Sequence, residues 1–138
     1  GVLDPIEATP VILGDYVLLG EGSGVTQGTR LGDLVTLAPG VHISKGTPVL
    51  DLIQGVAYTA KGTAQLEEIA FGSIKVHRVG AVTTQKDSSY GPEIPSGALI
   101  IPGVSISSAG ILKTTPVIVK YIRQVSERAY ALEDTLRS

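Results

Sequence analysis

Counting by six from Leu13 gives Leu13, Leu19, Val25, Leu31, Leu37, Ile43 and Val49, an aliphatic residue at every step. Four residues after each of the first six stand Val17, Ser23, Thr29, Val35, Val41 and Thr47, all small or β-branched. Turn formers fill the intervals, as in Leu31-Gly32-Asp33 and Ala38-Pro39-Gly40. Ordinary antiparallel strands alternate with period two and do not hold a period of six. The density of glycine and proline excludes an amphipathic helix. The pattern predicts an all-β fold, a left-handed parallel β-helix of hexapeptide repeats. Each hexapeptide supplies one short strand and one corner, and three make a coil of roughly 18 residues that stacks on the next. The first-frame aliphatics point inward, and so do the small residues four later, where a larger side chain would not fit. Glycine at the corners admits positive φ.

Composition suits such a narrow, repetitive interior. Aromatic residues make up 4% and tryptophan is absent, so Val, Ile, Leu, Ala and Thr must fill the core. With 43% hydrophobic and 17% charged residues the chain is packed rather than disordered. Its 138 residues suffice for one domain without room for a second. The net charge of −2 gives no electrostatic case for nucleic acid or an anionic membrane. No apolar run approaches the roughly 18 residues of a spanning helix, and no signal-peptide pattern opens the chain. A cytoplasmic location follows by elimination. The absence of cysteine excludes disulfides, thiolate metal sites and cysteine nucleophiles.

Residues 12–49 provide about two regular coils. The first coil presents an open edge that earlier coils, a cap or a partner must cover. Residues 50–92 break the period and read as an insertion. Within it, Gly62 to Ala70 suggests a short helix capped by Thr63, and Ser73 to Val79 alternates like a strand. Solenoid-like character returns at Ile94 to Val104. In the closing segment, 94–138, Val117 to Ile122 is a strand. Val125 to Leu136 reads as a helix with Ala129, Leu132 and Leu136 on one face. The whole, 1–138, is read as a single domain. The chain opens at Gly1 and contains no methionine, which fits a processed start, a fragment or a cleaved product.

The two ends carry a family resemblance. Gly1-Val2-Leu3-Asp4-Pro5-Ile6-Glu7-Ala8-Thr9-Pro10-Val11-Ile12 resembles the G-V-L-E-P-x-x-A-x-P-x-I loop of the tetrahydrodipicolinate N-succinyltransferases. The coil from Leu19-Gly20-Glu21 to Gly46-Thr47 is similar to that family's coil. Pro95-Ser96-Gly97-Ala98-Leu99 resembles the stretch leading out of its solenoid. Pro116-Val117-Ile118-Val119-Lys120-Tyr121 and Ala131 to Arg137 resemble its terminal V-I-V-K strand and tail. The likeness covers most of the chain except residues 50–92. It implies an acyl-CoA-dependent N-acyltransferase of lysine (diaminopimelate) biosynthesis, a homotrimer using succinyl-CoA as donor. It also implies that the family's N-terminal helical domain and early coils lie on a missing N-terminal part or a partner chain. The family's catalytic carboxylate falls at Gly24 and a second acidic position at Gln27. Glu21 is the acidic residue left in that segment.

Acyl transfer from a thioester needs a nucleophilic amine, a group to take its proton and donors for the developing oxyanion. Glu21 and His42 are the candidate catalytic residues. His42 follows the inward Val41 and so points outward, where a general base can sit, although a surface histidine is more often simply solvated. By the resemblance, the pantetheine arm runs along the groove past Gly20, Glu21, Ala38, Pro39 and Gly46. Each of these serves equally well as a plain corner. His77 reads as structural and Lys120 as an edge lysine that snorkels. With two histidines, the three-His zinc site of the carbonic anhydrases of this fold is not available, and no metal is expected. The alternatives are another hexapeptide acetyltransferase, acting on a sugar or amino acid, and a non-catalytic trimeric solenoid.

Overall fold

The six-residue period becomes an 18-residue register between paired strands. The computed structural model describes residues 11–26, 28–87 and 90–137. Strand β1 (Ile12–Leu13) pairs in parallel with β4 (Arg30–Leu31), Ile12 opposite Arg30. Strand β2 (Leu18–Leu19) pairs likewise with β5 (Thr36–Leu37), and β3 (Gly24–Val25) with β6 (His42–Ile43). Main-chain N–H groups of one rung donate to carbonyls of the next, as from Gly14 to Leu31 and from Gly20 to Leu37, both at 2.8 Å. Corners fall at the same interval. Tyr16, Gly22, Gly28, Leu34 and Gly40, six residues apart, all have φ between 59° and 79°. A left-handed residue at each corner turns the chain between two-residue strands too short to carry an ordinary loop.

The repeat buries what its period selects. Leu31, Leu37, Ile43 and Val49 of the first frame are buried, as are Thr29, Val35 and Val41 of the second. At the outer rung the same frame lies open: Leu13 is 47% and Leu19 44% exposed. Among the described residues no strand pairs with the far side of β1 or β2.

After β7 (Val49–Asp51) the chain leaves the repeat. Strands β8 (Val56–Thr59), β9 (Gly62–Phe71) and β10 (Ile74–Gln85) follow β7 as an antiparallel meander. The third rung then resumes in register. Strand β11 (Glu93–Ile94) sets Glu93 opposite Arg30, and β12 (Ala98–Ile106) sets Leu99 opposite Thr36. Finally β13 (Leu112–Tyr121) runs back along β12 and parallel to β7. Half of the chain is strand and a tenth helix, an all-β fold, but its sheets are mixed rather than uniformly parallel.

Two local expectations are corrected. Gly62 to Ala70 is not a helix capped by Thr63 but most of β9. Its helix-forming residues are overridden by cross-strand pairing: Glu67 lies opposite Arg78 and Glu68 opposite His77. The Arg78–Glu67 contact is 2.6 Å, and such opposite charges favour the ladder. In the closing helix, a 3-10 turn at Val125–Glu127 precedes α1 (Arg128–Arg137), and the buried residue is Ala131. It packs with Leu99 and Ile122, and Leu132 is half-buried there. Ala129 and Leu136 are exposed, so the packed face is turned from the expected one. Among the described residues no helix is long and apolar enough to cross a membrane, which leaves strand-built membrane proteins unaddressed.

Candidate functional site

His42 on β6 is exposed, as its outward position requires. It stands beside Gly24 of the rung before, where a Cβ would lie 3.0 Å from its Nδ1. Any carboxylate at position 24 would compete with this imidazole for the same space. His42 lines a cavity of about 250 Å³ together with Thr47, Pro102, Thr114 and Pro116. Glu21 lies in an exposed turn, and its carbonyl accepts from the Gly40 N–H at 3.0 Å. No hydrogen bond or ion pair joins Glu21 to His42 among the described residues. Gln27 and residues 1–10 lie outside them.

The residues expected along the pantetheine arm divide by environment. A Cβ on Gly20 would meet Pro39 N at 2.6 Å and Leu37 O at 2.7 Å, so this glycine is demanded by rung stacking. Ala38 is fully buried, and its N–H already donates to Ile100 O at 2.9 Å. It offers a ligand neither a side chain nor a free amide. Pro39 is exposed at its corner. Gly46 is exposed too, has nothing within 4 Å of a would-be Cβ, and lines a second cavity.

That second cavity, about 450 Å³, lies between the corner after β6, the inserted meander and the β12–β13 hairpin. Lys45, Lys61, Arg78 and Lys113 line it, and no Asp or Glu does. Its apolar wall includes Pro48, Val79, Val82 and Ile106. Thr47 borders both cavities, so the two adjoin. The four cations come from four separate elements, which is why no local motif announced them.

The buried carboxylate of Asp51 was equally invisible in the sequence. Fully buried at the end of β7, it accepts from the N–H groups of Ile53 and Gln54 at 3.0 Å each. It also accepts from the hydroxyl of Tyr58 at 2.8 Å and from that of Tyr121. Burial, then the hydrogen bond with Tyr121, then Asp51 itself push the Tyr58 phenol far above its ordinary value. Burial first and the bond to Asp51 second raise Tyr121. With four donors on one carboxylate, this cluster ties β7, β8 and β13 together and leaves little for a substrate. His77, half-buried, lies 3.8 Å from Glu68, and Lys120 is exposed on β13. Among the described residues no group of three His, Asp or Glu is placed to hold a metal ion.

Compared with known proteins, the chain matches no family model, and no curated protein matches it.

Proposed function

We propose that this chain is an acyl-CoA-dependent N-acyltransferase whose rungs wind as a left-handed parallel β-helix. Its reaction is the N-succinylation of tetrahydrodipicolinate from succinyl-CoA, carried out in the cytoplasm by a homotrimer. The observation that carries the reading is the 18-residue register of Ile12 with Arg30, Leu18 with Thr36 and Gly24 with His42. It is the repeat expected of hexapeptide acyltransferases, and it coincides with the coil segment that resembles the succinyltransferase family.

In that reaction water adds across the ring C=N bond of tetrahydrodipicolinate to give an amine, this amine attacks the thioester carbonyl, and the tetrahedral oxyanion collapses with departure of the thiolate. His42 takes the amine proton from the mouth of its cavity, with the Thr47 and Thr114 hydroxyls as neighbours. Glu21 is not paired with the histidine and lines neither cavity. Of the expected arm positions, Pro39 and Gly46 remain open to a ligand, whereas Gly20 and Ala38 serve the stacking of rungs. The family's missing parts would be supplied by a preceding segment or a partner chain.

The test is thiol release from succinyl-CoA and from acetyl-CoA by the trimeric protein, with tetrahydrodipicolinate as acceptor. Succinyl-CoA consumption that falls at least a hundredfold in His42→Ala supports the reading. Turnover of acetyl-CoA alone would move the chain to the acetyltransferases. No turnover and no binding of either donor would leave a non-catalytic scaffold.

A further inference from the structure

We infer that the cleft between the inserted meander and the β12–β13 hairpin binds an organic diphosphate, of the nucleoside diphosphate class. The inference does not rest on acyl transfer. It rests on charge, shape and size.

Four cationic side chains converge on this cavity with no acidic residue among its lining. Arg78 is already held by Glu67, through Nε at 3.2 Å and Nη2 at 2.6 Å. Lys45, Lys61 and Lys113 have no acidic partner among the described residues. Lys45, Lys61 and Lys113 are exposed, so three solvated ammonium groups give this one concavity a positive character in a chain whose net charge is −2. A multiply charged anion matches that charge, and phosphate is the group lysine serves as a point charge. A carboxylate carries too little charge to satisfy three lysines.

The rest of the lining fits an organic body behind the phosphates. Val79, Val82 and Ile106 give an apolar wall. Ser107 and Ser108, in the turn between β12 and β13, add polar residues to the lining, the Ser107 hydroxyl accepting from the Ile111 N–H at 3.1 Å. A volume of about 450 Å³ falls in the range of small-molecule sites. One side of the cleft is made by residues 52–87: Lys61 lies in the β8–β9 turn, next to Thr59 at the end of β8, and Arg78, Val79 and Val82 belong to β10.

Two sources share this chemistry, a free nucleotide and the diphosphate of coenzyme A. Calorimetric titration of the full chain with ADP, adenosine and coenzyme A separates them. ADP binds and adenosine does not. Coenzyme A displacing ADP identifies the donor's own head group, and ADP binding undisturbed by coenzyme A identifies a free nucleotide. The double variant Lys61→Glu/Lys113→Glu weakens ADP at least tenfold, whereas Lys75→Glu, exposed on the other part of β10, does not. Wild-type affinity also falls with added salt, as expected of phosphate–lysine pairing. ADP that fails to bind at millimolar concentration overturns the proposal, and so does equal weakening by Lys75→Glu. Because ADP binding is read without turnover, failure here is distinguishable from failure of the acyltransferase reading.

Discussion

Gly20 and Gly46 were expected in the same role, small residues that let a pantetheine arm approach the backbone, yet a methyl group distinguishes them. In Gly20→Ala the new Cβ would sit 2.6 Å from Pro39 N, 2.7 Å from Leu37 O and 2.8 Å from Ala38 C. These are main-chain atoms of the next rung and cannot rotate away. Relief to an ordinary carbon contact near ~3.5 Å requires the rungs to part by most of an ångström. That separation stretches the bonds from Gly20 N to Leu37 O (2.8 Å) and from Gly40 N to Glu21 O (3.0 Å). Overpacking of this kind costs about 1–3 kcal/mol. The outer rung can escape part of the strain by opening, so the cost is read best by amide hydrogen exchange. At about 1.4 kcal/mol per factor of ten, protection at the Leu18, Gly20 and Gly24 amides drops by roughly 5- to 100-fold. Gly46→Ala meets nothing within 4 Å, and Gly46 does not have a positive φ. It leaves protection unchanged or slightly raised, as a glycine-to-alanine change at a compatible site does. If an acyl donor passes Gly46, that variant loses donor affinity at intact stability. Equal protection loss in the two variants, or none in either, would refute the assignment of Gly20 to rung stacking.

Asp51→Ala strips the acceptor from two tyrosine hydroxyls and two N–H groups, and costs about 3–5 kcal/mol in urea denaturation; an unchanged midpoint would sink the buttress role. The raised phenols of Tyr58 and Tyr121 set an alkaline limit. Unfolded tyrosines ionise near their ordinary value of about 10 while the folded ones keep their protons, so stability is intact below that pH and falls as pH rises above it. Melting temperatures taken through the alkaline range should show this decline, and Tyr121→Phe should flatten it. Tyr16, 71% exposed with φ at 59°, holds a left-handed corner at a steric cost. Tyr16→Asn raises stability by roughly 0.5–1 kcal/mol in the same urea assay, and a drop would show that the tyrosine ring contributes more than its exposure implies.

Where the sequence was legible, its local pattern and its tertiary environment coincide. Leu31, Leu37 and Ile43 recur by six because each occupies the same inward place in successive strands, and all three are buried. Leu13 and Leu19 obey the same period but are exposed, with no further rung against them among the described residues, so periodicity alone does not separate a buried position from an open one. The stretch Leu66-Glu67-Glu68-Ile69-Ala70 misled because its helix propensity is real. Partners supplied by Arg78 and His77, ten residues downstream or so, outweigh it. The cationic cleft and the Asp51 cluster had no signature at all, since Lys45, Lys61 and Lys113 reach one cavity, and Asp51 and Tyr121 one hydrogen bond, only through pairing of segments far apart in the chain.

The return of Glu93 to Arg30, with the Gly91 N–H on the Gly28 carbonyl at 3.0 Å, bears on the order of assembly. The third rung cannot form until the chain between Asp51 and Glu93 has closed on itself, a non-local event of the sort that slows folding. The meander shortens that search, because β8, β9 and β10 join through short turns and can form before docking. Once closed, the excursion is cheap to enlarge: doubling a loop costs only about 0.6 kcal/mol. The scaffold can therefore acquire new surface at this one seam while the register on either side, held by Gly28 and Gly91, stays as it was.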